Sequence, residues 1–291
     1  MLKRLALAYL PVVAAGAVQA QTAPQGETNG VRTVPKWELG LGGFFYTLPD
    51  YRGADHQSSG ILPFPYFYYR GDIIKADRGG VRGELYASDR LDLELSFSGN
   101  VPVNSDKNEA RRGMPDLDPA LEVGPQGIVR IFGRPTDTNR LDIRLPVRQV
   151  IGMEFGGVNS NFRSRGQVFT SALNFSHTPR KGWNFGAQAG LYFATKTYHQ
   201  YLYGVDQQYA TANRPAYEAR GGYGGWQLTT AISRRFDKLW VGAYVRGSSV
   251  NGATFDDSPL VRRKYNYSAG FGIAWVFKES AERVVARDEE Q

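Results

Sequence analysis

The clearest pattern along the chain is an alternation of apolar and polar residues with a period of two. Residues 91–97 read Leu-Asp-Leu-Glu-Leu-Ser-Phe, and residues 141–145 read Leu-Asp-Ile-Arg-Leu. Side chains on an extended strand point alternately to the two faces of a sheet, so these segments predict strands with one apolar and one charged face. Helical periodicity is nearly absent after residue 20. The pattern therefore predicts an all-β chain.

About a dozen segments carry this strand pattern. Two of them, 72–78 and 80–87, are the least regular, so ten strands is the alternative count. The predicted strands are 37–46, 61–70, 72–78, 80–87, 91–99, 121–132, 140–150, 166–176, 183–194, 223–235, 239–247 and 266–277.

The last of these segments separates large apolar residues from small ones. The large face carries Tyr267, Ala269, Phe271, Ile273, Trp275 and Phe277. The small face carries Ser268, Gly270, Gly272, Ala274 and Val276. This division suits a strand with one face against lipid and the other against a tightly filled barrel lumen. The strand also ends in an aromatic residue, as the closing strands of outer-membrane barrels commonly do.

The connections alternate in length from residue 88 onward. The short ones are 88–90, 133–139, 177–182 and 237–238, and the long ones are 100–120, 151–165, 195–222 and 248–265. Outer-membrane barrels have short periplasmic turns and long outward loops. We therefore predict a transmembrane antiparallel β-barrel of about twelve strands in the outer membrane of a Gram-negative bacterium. Its lumen is expected to be largely filled by polar side chains.

The regions on either side of the predicted barrel (37–277) differ from it in composition. Residues 1–20 combine a basic start with an apolar run and small residues before position 21, which predicts a cleaved secretory signal. Residues 21–36 contain prolines, glycines and asparagine and predict a flexible periplasmic leader. Residues 278–291 carry charges of both signs and predict a solvated periplasmic tail.

Composition excludes several classes of protein. The chain has no cysteine, so a disulfide framework, a Cys-ligated zinc site and a cysteine nucleophile are excluded. After residue 20 no stretch approaches the roughly 18 apolar residues of a membrane-spanning helix. The net charge of +7 is modest, and an exported chain without a basic stripe is a poor candidate for nucleic-acid binding.

The histidines are the first candidates for chemistry. A Ser-His-acid hydrolase would need His56, His177 or His199 as its base. Ser176 and His177 are neighbours on a predicted strand, so they point to opposite faces and cannot form a dyad with each other. The chain has no Gly-x-Ser-x-Gly motif. We predict no catalytic residue and no enzymatic activity.

Three other motifs have both a functional and a structural interpretation. Asp116 and Asp118 could ligate calcium, but the flanking prolines favour a rigid turn. The glycines of 40–43 lie in a strand with no helix after it, which favours barrel curvature over a phosphate loop. The aromatic residues of 65–69 and 198–203 suit either a membrane-interface girdle or ordinary strands. No metal or cofactor site is predicted.

Three stretches together resemble the MipA/OmpV family of outer-membrane proteins, also called MltA-interacting proteins. The first comprises 48–55 (Leu-Pro-Asp-Tyr-Arg-Gly-Ala-Asp), 62–67 and 69–72; the second is 113–125; the third comprises 257–261 and 267–277. They are spread over most of the chain. The chain departs from the family pattern by continuing beyond Phe277 to residue 291.

The resemblance implies an outer-membrane barrel and, for part of the family, a scaffold that links a lytic transglycosylase to a peptidoglycan synthase. It describes no catalytic residues. We therefore expect a scaffold for murein hydrolases and synthases, embedded in the lipid bilayer and in contact with lipopolysaccharide. A narrow channel for small solutes is the alternative, and a lipid-modifying barrel enzyme that uses His177 is the weakest one.

Overall fold

The computed structural model describes residues 26–28, 31–70, 74–77, 80–88, 90–134, 137–156, 159–179 and 182–285. The predicted signal, residues 1–20, lies outside the described residues. So do the first residues of the leader and the end of the tail.

Twelve antiparallel strands form the wall of a barrel. Each strand pairs with the next along the chain, and the last pairs with the first, so the sheet closes on itself. The prediction of an all-β, twelve-stranded antiparallel barrel is confirmed. The strands are β1 (Trp37–Pro49), β2 (Gln57–Arg70), β3 (Ile74–Asp77), β4 (Gly80–Ala87), β5 (Leu91–Asn100), β6 (Ala120–Phe132), β7 (Asn139–Gly156), β8 (Asn159–His177), β9 (Asn184–Ala194), β10 (Gly222–Phe236), β11 (Leu239–Ser249) and β12 (Tyr265–Glu279).

The outer face of the barrel is apolar. On β12, Phe271, Trp275 and Phe277 are 50%, 62% and 58% exposed, whereas Ala274 and Val276 are buried in the lumen, as the alternation predicts. Other strands contribute Leu41, Phe45, Ile61, Phe67, Leu191, Trp226, Leu228 and Val245 to the same surface. Soluble monomers rarely expose so much contiguous apolar area, so this belt is suited to lipid. Among the described residues, no helix is both long and apolar enough to span a bilayer.

The lumen-facing residues on one side of the wall form a charged network. Asp92 on β5 is paired with Arg130 on β6. On β7, Asp142 accepts hydrogen bonds from Arg144 Nε at 2.7 Å and from Asn174 Nδ2 of β8 at 3.1 Å. The polar positions of the alternating segments therefore point into the barrel. Their charges are matched there, which limits the cost of removing them from water.

Aromatic rings fill the lumen at the end that carries the short turns. Tyr66 and Tyr68 pack there with Ala274 and Val276, and Phe64 and Trp240 flank them. A Cβ on Gly42 would lie 2.5 Å from Cζ of Phe64, so only glycine leaves room for that ring. Beside this cluster, Glu38 and Arg235 form an ion pair with 2.5 Å between Oε2 and Nη1, and both side chains are at most 3% exposed.

The two ends of the described chain pair with each other beyond the barrel. Gly26–Thr28, Val31–Pro35 and Arg283–Val285 form a three-stranded antiparallel sheet, here called the terminal sheet. The backbone N–H of Lys36 donates to the carbonyl of Glu282 at 2.9 Å, and their side chains form an ion pair at 2.9 Å. These stretches of the leader and the tail are therefore paired strands rather than flexible chain. The closing strand also continues to Glu279 rather than ending at Phe277.

One predicted long loop proves to be strand. Residues 151–165 were expected to connect two strands, but β7 continues to Gly156 and β8 begins at Asn159. The two strands stay paired over this stretch, with one register shift between Ser164 and Gly166. They form a hairpin that reaches well beyond the neighbouring strands on the side of the long connections.

Candidate functional site

Four connections on the long-loop side share one apolar core over the mouth of the barrel. These connections, 50–56, 101–119, 195–221 and 250–264, are here called the cap. Their buried apolar residues are Tyr51, Ala54, Val103, Ala110, Leu117, Tyr203, Val205, Ala219, Val250, Ala253, Phe255 and Leu260. Because the residues come from segments far apart in sequence, the cap holds the four loops together over the lumen.

The centre of the cap is a short helix that the sequence analysis did not predict. Helix α1 (Lys196–Tyr203) buries Tyr198, His199 and Tyr203. The ring of Tyr203 stacks on Phe255 with 3.6 Å between centroids. The aromatic residues of 198–203 therefore build the cap and not a membrane-interface girdle. In the other aromatic segment, Tyr66 and Tyr68 face the lumen and only the alternate residues face outward.

His199 lies fully buried within the cap. Its Nδ1 is 2.7 Å from the carbonyl oxygen of Arg220, which can only accept, so Nδ1 carries the proton. Its ring contacts Phe255 edge to face at 4.5 Å between centroids. Nε2 is buried without a hydrogen-bond partner in the described part of the chain. Burial lowers the pKa of His199, and the positive charge of Arg52 adds to the effect; the bond to Arg220 partly opposes it.

We expect the cap to loosen when the pH falls below about 6.5, the ordinary pKa of histidine. The folded-state pKa lies below that value, so the unfolded state takes up the proton first, and stability is lost as the pH falls toward the folded pKa. Hydrogen exchange of residues 195–221 at pH 7.5 and pH 5, corrected for intrinsic rates, should show faster opening in acid. His199→Gln should remove this difference, and an equal pH dependence in that variant would contradict the assignment.

A chamber of about 350 Å³ lies in the lumen directly beneath the cap. Strands β5 to β12 contribute polar residues to its wall, and the cap contributes Arg52 and four tyrosines to its roof. The tyrosines are Tyr51, Tyr198, Tyr201 and Tyr203. Two more rings, Tyr192 and Tyr244, project from the wall. The expectation of a largely polar lumen therefore needs refinement, because aromatic rings line this chamber and pack the opposite end.

Most charged residues of the chamber are matched by an opposite charge or by hydrogen-bond donors. Arg148 pairs with Glu122 at 3.5 Å, and Asn100 Nδ2 donates to the same carboxylate at 3.3 Å. Arg144 is held by Asp142. Two arginines differ: within the described ranges, Arg52 and Arg246 take part in no ion pair. The chamber therefore carries an excess of positive charge.

The structure separates the candidate catalytic residues. Ser176 is buried in the lumen and accepts a hydrogen bond from Asn174, whereas the ring of His177 lies on the outer side, 2.8 Å from Oδ1 of Asn139. The prediction that the two point to opposite faces is confirmed. His56 contacts Asp50 at 3.0 Å through Nδ1, but Ser58 donates to that same carboxylate and not to the histidine. These contacts do not form a nucleophile–base pair.

The two aspartates of 114–119 serve the cap as separate hydrogen-bond acceptors. Asp116 accepts from the backbone N–H of Ser105 at 2.7 Å. Asp118 pairs with Arg165 and lies 3.4 Å from the hydroxyl of Tyr201. These contacts agree with a structural role of the two aspartates in a rigid turn. The described residues contain no group of three or more His, Cys, Asp or Glu that could hold a metal ion.

Two curated proteins are similar to the chain over most of its length. The outer membrane protein Omp26La of Vibrio anguillarum is 24% identical over 83% of this chain and 87% of its own. The outer membrane protein OmpV of Vibrio cholerae is 24% identical over 72% of this chain and 76% of its own. Because both relatives are outer-membrane proteins and the fold is a closed barrel with an apolar belt, the chain is an outer-membrane β-barrel.

Two solved outer-membrane structures are similar to the chain at low scores. The translocator domain of the autotransporter NalP from Neisseria meningitidis has a TM-score of 0.40 and 12% identity, over 83% of this chain and 89% of that chain. A bacterial polysaccharide outer membrane secretin has a TM-score of 0.41 and 12% identity, over 84% and 100%. The family described as "MltA-interacting protein MipA" matches residues 39–277, nearly the whole barrel, and the chain therefore belongs to that family.

Proposed function

We propose that this barrel is a scaffold that holds peptidoglycan-remodelling enzymes, a lytic transglycosylase and a murein synthase, at the outer membrane. The family description supports the first partner, because it names an interaction with MltA. The observation that carries the proposal is the obstructed lumen. The cap covers the outer mouth, and the Tyr66–Tyr68 cluster with the buried Glu38–Arg235 pair fills the inner end. A barrel built this way offers its surfaces, and not a wide pore, to its partners.

The terminal sheet is the best candidate for the contact surface. It projects from the end that carries the short turns, which in outer-membrane barrels faces the periplasm. Its strands are short, and the outer ones, Gly26–Thr28 and Arg283–Val285, each have one unpaired edge in the described part of the chain. A strand edge of this kind can pair with an extended segment of another protein. The sheet thus places backbone donors and acceptors where cell-wall enzymes work.

The proposal is tested by direct binding. The mature protein, purified in a non-ionic detergent and immobilised, should bind a lytic transglycosylase and a murein synthase from its own host saturably. A variant that ends after Glu279 should bind at least about tenfold more weakly, a loss of about 1.4 kcal/mol. The control is Glu218→Ala, which changes an exposed residue of the cap on the opposite side of the membrane. If the intact protein binds neither enzyme, the scaffold role is wrong.

A narrow channel is the second candidate function, and the chamber beneath the cap favours it. Planar bilayers distinguish the two. With the cap and the inner cluster in place, we expect no steady current at neutral pH. A steady conductance of the unmodified protein would support the channel and contradict an obstructed lumen.

A further inference from the structure

We propose that the chamber beneath the cap is a binding site for a small aromatic carboxylate, held through Arg52 and Arg246. This inference concerns the lumen and goes beyond the proposed scaffold function, which uses the periplasmic side. It rests on two unmatched guanidinium groups, the aromatic lining of the chamber and its volume.

Arg246 projects from β11 into the chamber. Its Nε donates to Oγ1 of Thr229 at 3.0 Å, and its guanidinium lies over the ring of Tyr244 at 5.7 Å. No carboxylate in the described part of the chain lies within ion-pair distance of it. The Nε bond and the ring fix the direction of the side chain. The two remaining nitrogen atoms thus line the chamber, and no carboxylate of the described ranges is paired with them.

Arg52 reaches the chamber from the cap. Tyr203 holds its backbone, because the tyrosine hydroxyl donates to the Arg52 carbonyl at 3.0 Å. The guanidinium lies 4.7 Å from the ring centre of Tyr192 and donates to the carbonyl of Trp226 at 3.0 Å. Its Nε is buried and has no hydrogen-bond partner among the described residues. A fixed cation with an unsatisfied donor raises the free energy of the folded barrel unless an anion pairs with it and accepts the hydrogen bond.

The carboxylates that line the chamber already have other partners and do not neutralise these two arginines. Glu122 is held by Arg148 and Asn100. Asp50 accepts hydrogen bonds from Ser58 at 2.6 Å and Asn108 at 2.8 Å and contacts His56. Asp118 is paired with Arg165 of β8. Arg52 and Arg246 both line the chamber, and their like charges repel each other there. An anion between them would relieve that repulsion and use both guanidinium groups.

The lining and the volume define the class of anion. A guanidinium fork matches the two oxygens of a carboxylate or a phosphate. The rings of Tyr192 and Tyr244 lie beside the arginines, and Tyr198 adds a third flat ring to the lining. A chamber of about 350 Å³ is at the lower end of the roughly 300–1,000 Å³ typical of small-molecule sites. It fits a single-ring carboxylate and excludes a lipid or a polysaccharide.

The test uses 4-fluorobenzoate as the probe and fluorine NMR as the measurement. The complete mature barrel in non-ionic detergent should bind it saturably, and should bind the neutral 4-fluorobenzyl alcohol at least about tenfold more weakly. Arg246→Gln and Arg52→Gln should each weaken benzoate binding at least about tenfold. Arg263→Gln, the same substitution at an exposed cap position outside the chamber, should bind like the unmodified protein.

Heat-modifiable migration in gels verifies that each variant is assembled. If Arg246→Gln does not assemble, Arg52→Gln tests the same site from a cap loop. Equal binding of the acid and the alcohol, or equal binding by Arg246→Gln, Arg52→Gln and Arg263→Gln, would overturn the proposal. So would inorganic phosphate that binds as tightly as the benzoate, because the rings would then contribute nothing. None of these outcomes bears on enzyme binding at the periplasmic side.

Discussion

Replacement of Glu38 by alanine is expected to lower the free energy of unfolding of the barrel by about 3–5 kcal/mol. The loss arises because Arg235 keeps its charge at 3% exposure after its carboxylate partner is removed. One guanidinium nitrogen of Arg235, Nη2, is already buried without a hydrogen bond among the described residues. Urea unfolding in detergent micelles, followed by tryptophan fluorescence, measures the effect.

Two further variants show whether the buried pair causes this loss. Glu218→Ala removes one partner of the exposed Lys196–Glu218 pair and should leave the unfolding midpoint unchanged. The double variant Glu38→Leu with Arg235→Met removes both charges and should recover most of the stability, because a matched apolar pair has no ions to desolvate. If the single variant Glu38→Ala is as stable as Glu218→Ala, the pair does not hold the inner end of the barrel together.

Replacement of Phe255 by alanine should open the cap while the barrel stays assembled. Phe255 is 1% exposed, stacks on Tyr203 and contacts His199 edge to face. Loss of a buried phenylalanine ring costs about 3–5 kcal/mol, and here that cost applies to the contacts between loops. Hydrogen exchange of residues 195–221 and 250–264 should accelerate by about two orders of magnitude or more, which corresponds to a loss of about 3 kcal/mol.

The matched control for this prediction is Phe271→Ala. Phe271 lies on β12, is 50% exposed and faces outward, so its loss makes no cavity in the cap. Exchange of the cap amides should not change in that variant. Equal acceleration in both variants would mean that the barrel wall, and not the loop core, determines the stability of the cap.

Much of the barrel could be predicted because apolar and polar residues alternate along each strand according to whether they face lipid or lumen. The large and small faces of β12 identify lipid and lumen from one segment, and the charges at Asp92 and Asp142 identify the lumen side of β5 and β7. The closed, even-stranded arrangement follows from the same physics, since a free sheet edge cannot be hydrated in a bilayer. These features need no information from distant parts of the chain.

The wrong predictions concern segments outside the lipid-facing wall, where no alternation of apolar and polar residues is required. In the β7–β8 hairpin, residues 159–165 are polar at every position except Phe162, so they show no alternation and resemble a loop. Helix α1 has only eight residues, too few for a periodic signal, and its buried face is set by Phe255 and other loop residues. The terminal sheet depends on pairing between residues near the two ends of the chain, which neither segment reveals alone.

The chamber could not be predicted from local sequence either. Arg246 alternates with outward-facing Val245, so its place in the lumen follows from the pattern. Its lack of a carboxylate partner among the described residues depends on every other side chain that faces the lumen. Arg52 belongs to 48–55, the first stretch that resembles the family, but only the fold of the cap brings its side chain into the chamber lining. A site made from a strand and a distant loop leaves no continuous motif.

The pairing of β1 with β12 and the terminal sheet beside it join the same two ends of the chain. Whichever forms first must bring together residues separated by almost the whole polypeptide, a loop-closure cost that grows with the logarithm of that separation. The second pairing then closes a loop of only a few residues. The closure of the barrel and the formation of the terminal sheet are therefore cooperative, because each lowers the entropic cost of the other. A chain that lacks its last residues must close the barrel without this contribution.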